Sequence, residues 1–129
     1  MKIFKVKKYI NYKGDKNIIN LQTKTKNQIS YVNICNPVNS SKIYIIDNID
    51  IKDINVNNEL FLYAKEVNKD IDKKENSLLL DKLLINKSNK VSVLQGEQFI
   101  LLPGGELYIE LSQYDKSLSI NVSLIEEEI

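Results

Sequence analysis

Asp47, Asp50 and Asp53 recur at every third position, and Glu110 and Asp115 flank a polar turn. Oxygen clusters of this kind bind hard cations such as calcium. The chain has no Asp-x-Asp-x-Asp-Gly loop, and neighbouring strand residues point to opposite faces. These acids are therefore expected to be solvent-facing strand residues, with no metal site. Paired-carboxylate hydrolysis is not indicated either, because no tryptophan-rich platform accompanies the acids. Cys35 ends an apolar run, and with no histidine in the chain it lacks the usual base of a catalytic thiolate. It reads as a small buried hydrophobe. Gly104-Gly105 has no following Lys-Ser/Thr or helix start, so it is a turn and no phosphate cradle. Seven tyrosines are scattered along the chain; Tyr63, Tyr108 and Tyr114 are the residues available for an aromatic binding patch.

The composition narrows the chemistry further. Among 129 residues there is no His, no Trp and one Cys, and all 18 positive charges are lysine. His-based acid–base catalysis, Cys/His zinc sites, disulfides within the chain and arginine-fork phosphate recognition are excluded. No catalytic residue and no cofactor is expected, and the chain reads as a non-enzyme. Ile, Asn and Lys are strongly over-represented, the mark of a low-GC genome. Net charge is +1, but unevenly placed: nine lysines and one acid precede Asp47, whereas one lysine and seven acids follow Leu94. Opposed ends of this kind either reflect a solvated surface with compositional drift or suit head-to-tail or subunit contacts in a homo-oligomer. The acidic end and the absence of a recognisable module argue against nucleic acid as partner. No apolar run approaches a membrane span, and Met1 to Ile10 shows no secretory signal.

Strands hold these residues in place. Leu118 to Leu124 alternates apolar and polar without exception, and Leu107, Ile109 and Leu111 alternate before it, which predicts an antiparallel hairpin. Pro103-Gly104-Gly105 is a strong turn signal, and Asn36-Pro37 opens a loop between two β-branched runs, 29–35 and 43–51. Leu60 to Ala64 is a further strand, and 67–77 reads as an exposed polar loop. Leu78 to Leu84 fits either a kinked strand or one helical turn. About eight strands at regular spacing predict an all-β fold, a single antiparallel β-sandwich of jelly-roll or immunoglobulin-like type, over 17–129. Residues 1–16 read as a basic N-terminal arm or edge strand. Lys2, Phe4, Lys5, Val6, Lys7, Lys8, Tyr9 and Ile10 are its expected partner contacts.

Three stretches, taken together, carry a resemblance. Ile34-Cys35-Asn36-Pro37-Val38-Asn39-Ser40-Ser41-Lys42-Ile43-Tyr44-Ile45 resembles a strand–loop–strand of small structural proteins of tailed bacteriophages. Leu101-Leu102-Pro103-Gly104-Gly105-Glu106-Leu107-Tyr108-Ile109 is similar to a second element of those proteins. The closing strand running into Glu126 and Glu127 is similar to a third. Val38 and Asn39 stand where small residues are usual, and the last strand lacks a Trp. The resemblance implies a virion component with Asn36, Pro37, Pro103, Gly104 and Gly105 as fold-defining turns. It implies a structural role, on the head surface or around the tail, and does not say which. Together with the missing catalytic residue types, the all-β pattern and the opposed charged ends, it makes the leading expectation a capsid-surface decoration protein bridging capsid subunits, with the major capsid protein as first partner and tail proteins as second. Assembly would take place in the bacterial cytoplasm. The other expectation is a tail or baseplate accessory with a receptor- or carbohydrate-binding sandwich.

Overall fold

Period-two alternation makes one face of a segment apolar, and such a segment is stable only against a second apolar face. The computed structural model describes residues 2–8, 12–69, 77–87 and 89–128, and none of these is helical. They form β1 (Ile3–Lys7), β2 (Lys16–Leu21), β3 (Lys24–Lys26), β4 (Ile29–Cys35), β5 (Lys42–Lys52), β6 (Asn58–Glu66), β7 (Ser77–Ile85), β8 (Val91–Ser92), β9 (Glu97–Leu101), β10 (Gly105–Leu111) and β11 (Ser119–Glu128). One antiparallel sheet runs β1-β9-β5-β11-β2, with β8 pairing along β5; the other runs β3-β4-β10-β6-β7. The two apolar faces meet in one core that includes Ile46, Ile49, Ile51, Val122, Leu60, Leu62, Val32, Leu107 and Ile109. Each fully buried aliphatic side chain contributes about 1.5–3 kcal/mol relative to its exposed state.

Eleven strands among the described residues replace the expected eight or so; β1, β3 and β8 are short additions of five, three and two residues. The expected hairpin between 107–111 and 118–124 does not form. β10 pairs with β4 and β6, whereas β11 pairs with β5 and β2 in the opposite sheet. Asp115 explains the crossing: its carboxylate accepts hydrogen bonds from the backbone N–H groups of Asn55 (2.7 Å), Val56 (3.1 Å) and Ser117 (3.1 Å), and from Ser117 Oγ (2.9 Å). The reversal is thereby tied to the β5–β6 connection and carries the chain from one sheet to the other. The leucine-rich run 78–84 is strand β7, with a register shift opposite Leu62/Tyr63. Of the expected polar loop, Val67–Lys69 form a turn; 70–76 lie outside the described residues.

The two turn motifs of the sequence dock on each other. Asn36 N–H donates to Gly105 O (2.9 Å), and Gly104 N–H donates to Asn36 O (2.8 Å). The buried Asn36 side chain donates to Lys42 O (2.8 Å) and Leu101 O (2.9 Å), bridging β5 and β9. Gly104 has φ +91°, which a Cβ would disfavour.

β5 carries a bulge. Ser123 pairs with Asn48 and Leu124 with Ile46, so Asp47 has no cross-strand partner. The extra residue shifts the side-chain parity. Ile46, Ile49 and Ile51 face the core, while Ile45 shares an outer row with Ile100, Ile125 and Phe4.

Candidate functional site

β4, β10 and β6 lie side by side, so residues that alternate outward on each come together on one face. Register places Cys35 opposite Glu106 and Glu106 opposite Lys65; one step along, Asn33 faces Tyr108 and Tyr108 faces Tyr63. The Lys65 Nζ donates to Glu106 Oε1 at 3.1 Å, and both side chains are almost sealed from solvent, at 6% and 7% exposure. A charged pair on the outward side of a sheet usually stays wet. This one is buried beside aromatic rings: Tyr31 stacks on Tyr108 with centroids 4.9 Å apart, and Tyr63 tilts against Tyr108 at 6.4 Å. Removing water strengthens such an interaction and makes a lone partner costly.

The other carboxylate oxygen is engaged as well. Asn33 Nδ2 donates to Glu106 Oε2 (3.4 Å) and approaches Cys35 Sγ (3.5 Å). Asn33 Oδ1 accepts from Lys24 Nζ at 3.2 Å. Lys24, Asn33, Glu106 and Lys65 therefore form a continuous chain across four strands, β3-β4-β10-β6. Burial, followed by the hydrogen bond and negative charge of Glu106, pushes the Cys35 thiol up to about 12. The thiol stays protonated at neutral pH, and it is half-buried rather than fully enclosed. Burial, with the Glu110 carboxylate nearby, also raises the Tyr63 hydroxyl.

The aromatic patch anticipated at Tyr63, Tyr108 and Tyr114 is assembled differently. Tyr63 and Tyr108 adjoin, but the third ring is Tyr31. Tyr114 is 62% exposed on the β10–β11 connection, beside a cleft of about 150 Å³ lined by Asn20, Gln22 and Thr23 among others. The three aspartates do not converge. Asp53 is exposed, with φ +56°, at an open cleft with Lys52 and Lys90; Asp50 accepts from Asn48 Nδ2 (3.1 Å). Among the described residues no three of His, Cys, Asp and Glu are grouped to hold a metal ion.

Asp47 departs most from the solvent-facing expectation: it is 2% exposed. Gln98 Nε2 donates to Oδ1 (2.7 Å), Lys8 Nζ lies 3.5 Å from Oδ1, and Lys16 Nζ lies 2.7 Å from Oδ2. Burial alone would raise this carboxyl, but the hydrogen bonds from Lys16 and Gln98 outweigh it and hold it below the usual range. Lys8 and Lys16 bracket the connection between β1 and β2, the two opposite edges of one sheet. Gly14, within that connection, sits against Ile125 and the Glu126 carbonyl, where a Cβ would overlap the carbonyl oxygen. Its N–H donates to Glu127 Oε1 (2.8 Å), as does that of Lys13. The Lys42 ammonium meets Glu126 Oε2 at 3.1 Å. Basic beginning and acidic end thus meet inside one chain.

The expected contact segment divides. Residues 3–7 form an edge strand on β9; Ile3 is buried in the core, Phe4 is 42% exposed, and Lys5 reaches Glu97 (3.4 Å) and Asp81 of the facing sheet (3.7 Å). Lys2, Lys7 and Lys8 are exposed and Val6 half-buried, while Tyr9 and Ile10 lie outside the described residues. The Asn33–Glu106–Lys65 chain had no sequence signal, since its members stand 73 and 41 positions apart. Compared with known proteins, the chain matches no family model, no curated protein and no solved structure.

Proposed function

We propose that the chain is a non-enzymatic structural protein of a tailed-phage virion, a capsid-surface decoration protein that bridges neighbouring capsid subunits. The observation carrying this reading is the strand order. Leaving aside the short β1, β3 and β8, eight strands remain. One sheet takes the sixth, third, eighth and first in chain order, and the other takes the second, seventh, fourth and fifth. Two interleaved four-stranded sheets of this order are the pattern of a jelly roll, an architecture common among viral shell proteins and lectins. The dense hydrogen bonding of both loop ends suits a protein that acts through a rigid shape repeated many times, where modest contacts sum by multivalency. The contact surface on this reading is the edge strand β1, with Phe4 and Val6 on its outward side, the exposed Lys7 at its end, and Lys2 and Lys8 flanking it. Adding the purified protein to undecorated heads tests it. Saturable binding that falls at least tenfold in the Phe4→Asp/Lys7→Glu double variant supports the reading. Failure to bind heads under any condition rejects it.

A further inference from the structure

Tyr114 is an exposed ring on a fixed loop. The residue before it is held by Asn58: Gln113 N–H donates to Asn58 Oδ1 (3.0 Å), and Gln113 O accepts from Asn58 Nδ2 (2.8 Å). The residue after it, Asp115, is held by Asn55, Val56 and Ser117. Between these anchors Tyr114 is 62% exposed and pairs with no other ring among the described residues. Tyr31 and Tyr63, by contrast, both pack on Tyr108. Turn geometry needs no aromatic side chain, and a ring left in water adds little to the fold. On an anchored loop it is preorganised for contact with another molecule.

The cleft of about 150 Å³ that Tyr114 lines supplies the other half of a site. Gln22 Nε2 donates to Asn20 Oδ1 (2.9 Å), and Asn20 Nδ2 donates to Ser119 Oγ and to Asn121 Oδ1, each at 3.0 Å. This relay fixes which way each carboxamide points. It leaves Gln22 Oε1, the second hydrogen of Gln22 Nε2 and a lone pair of Asn20 Oδ1 for a ligand, and Thr23 lines the same cleft. Charge narrows the ligand. Asp115 is the single carboxylate of the lining, and four donors already occupy it, so a hard cation would find no free carboxylate. Lys116 is the single ammonium, whereas strong binding of phosphate or sulfate draws on several charged donors.

We infer that the Tyr114 cleft binds a neutral carbohydrate. A sugar unit lays its C–H face against the Tyr114 ring and sets neighbouring hydroxyls on the Gln22 and Asn20 amides, which donate and accept at once. Asn121, directly across from Asn20, continues the row of amides onto β11, so the site is open to a second sugar along the outward side of that sheet. The inference does not rest on the virion reading and applies wherever the protein works.

The test is an NMR titration of the purified, isotope-labelled full chain with hexasaccharides of glucose, N-acetylglucosamine, mannose and galactose. A sulfated heparin hexasaccharide serves as the charged comparison. The expected result is saturable shifts of the backbone amides of 20–23 and 112–119 with at least one neutral sugar. Tyr114→Ala and the Asn20→Ala/Gln22→Ala double variant, all at exposed positions, are each expected to weaken that binding about tenfold while the rest of the spectrum stays in place. Saturable binding of the heparin fragment alone overturns the inference, as do shifts confined to other surfaces. So does an affinity unaltered in either variant, or the absence of saturable shifts with all four neutral sugars up to their solubility limits.

Discussion

The Lys16 ammonium lies 2.7 Å from Asp47 Oδ2, joining an edge strand to the bulge of a central strand in the same sheet. Asp47 also receives Gln98 and Lys8, so one buried carboxylate secures both ends of the β1–β2 connection. Replacing Asp47 by Asn leaves two lysines facing a neutral group. Because both lysines are about two-fifths exposed and partly screened, the expected loss is about 1–2 kcal/mol at pH 7, read from urea unfolding.

The same group sets an acid limit. Its folded value lies below that of the unfolded chain, so the stability it contributes is present above the unfolded value, about 3.9, and is lost as pH falls through the folded one. Asp115 acts in the same direction: burial opposes its ionisation, but hydrogen bonds from Asn55, Ser117 and Val56 prevail. Unfolding free energy is expected to be nearly flat from pH 7 to 5 and to drop below about pH 4. The Asp47→Asn and Asp115→Asn chains should each show a shallower acid decline.

Asp115→Ala removes the acceptor for four donors at the crossing between sheets. An expected cost of about 1–2 kcal/mol follows from taking the acceptor away from part-buried N–H groups. Calorimetric melting checks it, with Ser117→Ala as the milder comparison.

Glycine substitutions separate contact from conformation. A Cβ at Gly105 would overlap the Lys2 carbonyl, and the expected penalty for Gly105→Ala is about 3 kcal/mol. Gly96 has φ +72° and nothing within 4 Å of the added atom, so Gly96→Ala should cost only about 1–2 kcal/mol.

Thiol alkylation probes the outer face of the five-stranded sheet. With Cys35 pushed up to about 12 by burial and by Glu106, reaction with iodoacetamide at pH 8 should be at least tenfold slower than for an exposed cysteine. Glu106→Gln should accelerate it. Equal rates for wild type and variant would mean that Glu106 does not govern the thiol.

The strands themselves were legible, because alternation at 118–124 and 107–111 directly encodes a one-sided face. Their partners were not. A turn of Gln, Tyr, Asp and Lys reads the same whether it closes a hairpin or crosses between sheets; the deciding bonds come from Asn55 and Val56, some sixty residues upstream. The regular isoleucines of 43–51 concealed a bulge, since an extra residue changes parity without changing composition. It is this bulge that places Asp47 under two lysines rather than in solvent. The Asn33–Glu106–Lys65 chain was hidden for a related reason. Each member is a lone polar residue on an ordinary strand, and only cross-strand register brings the three together.

Electron cryomicroscopy of virions assembled with and without this gene tests the virion reading most directly. A two-sheet domain repeating over the head lattice, seated through β1 and missing from the deletion particles, is the expected result. Identical head maps from the two preparations would contradict it.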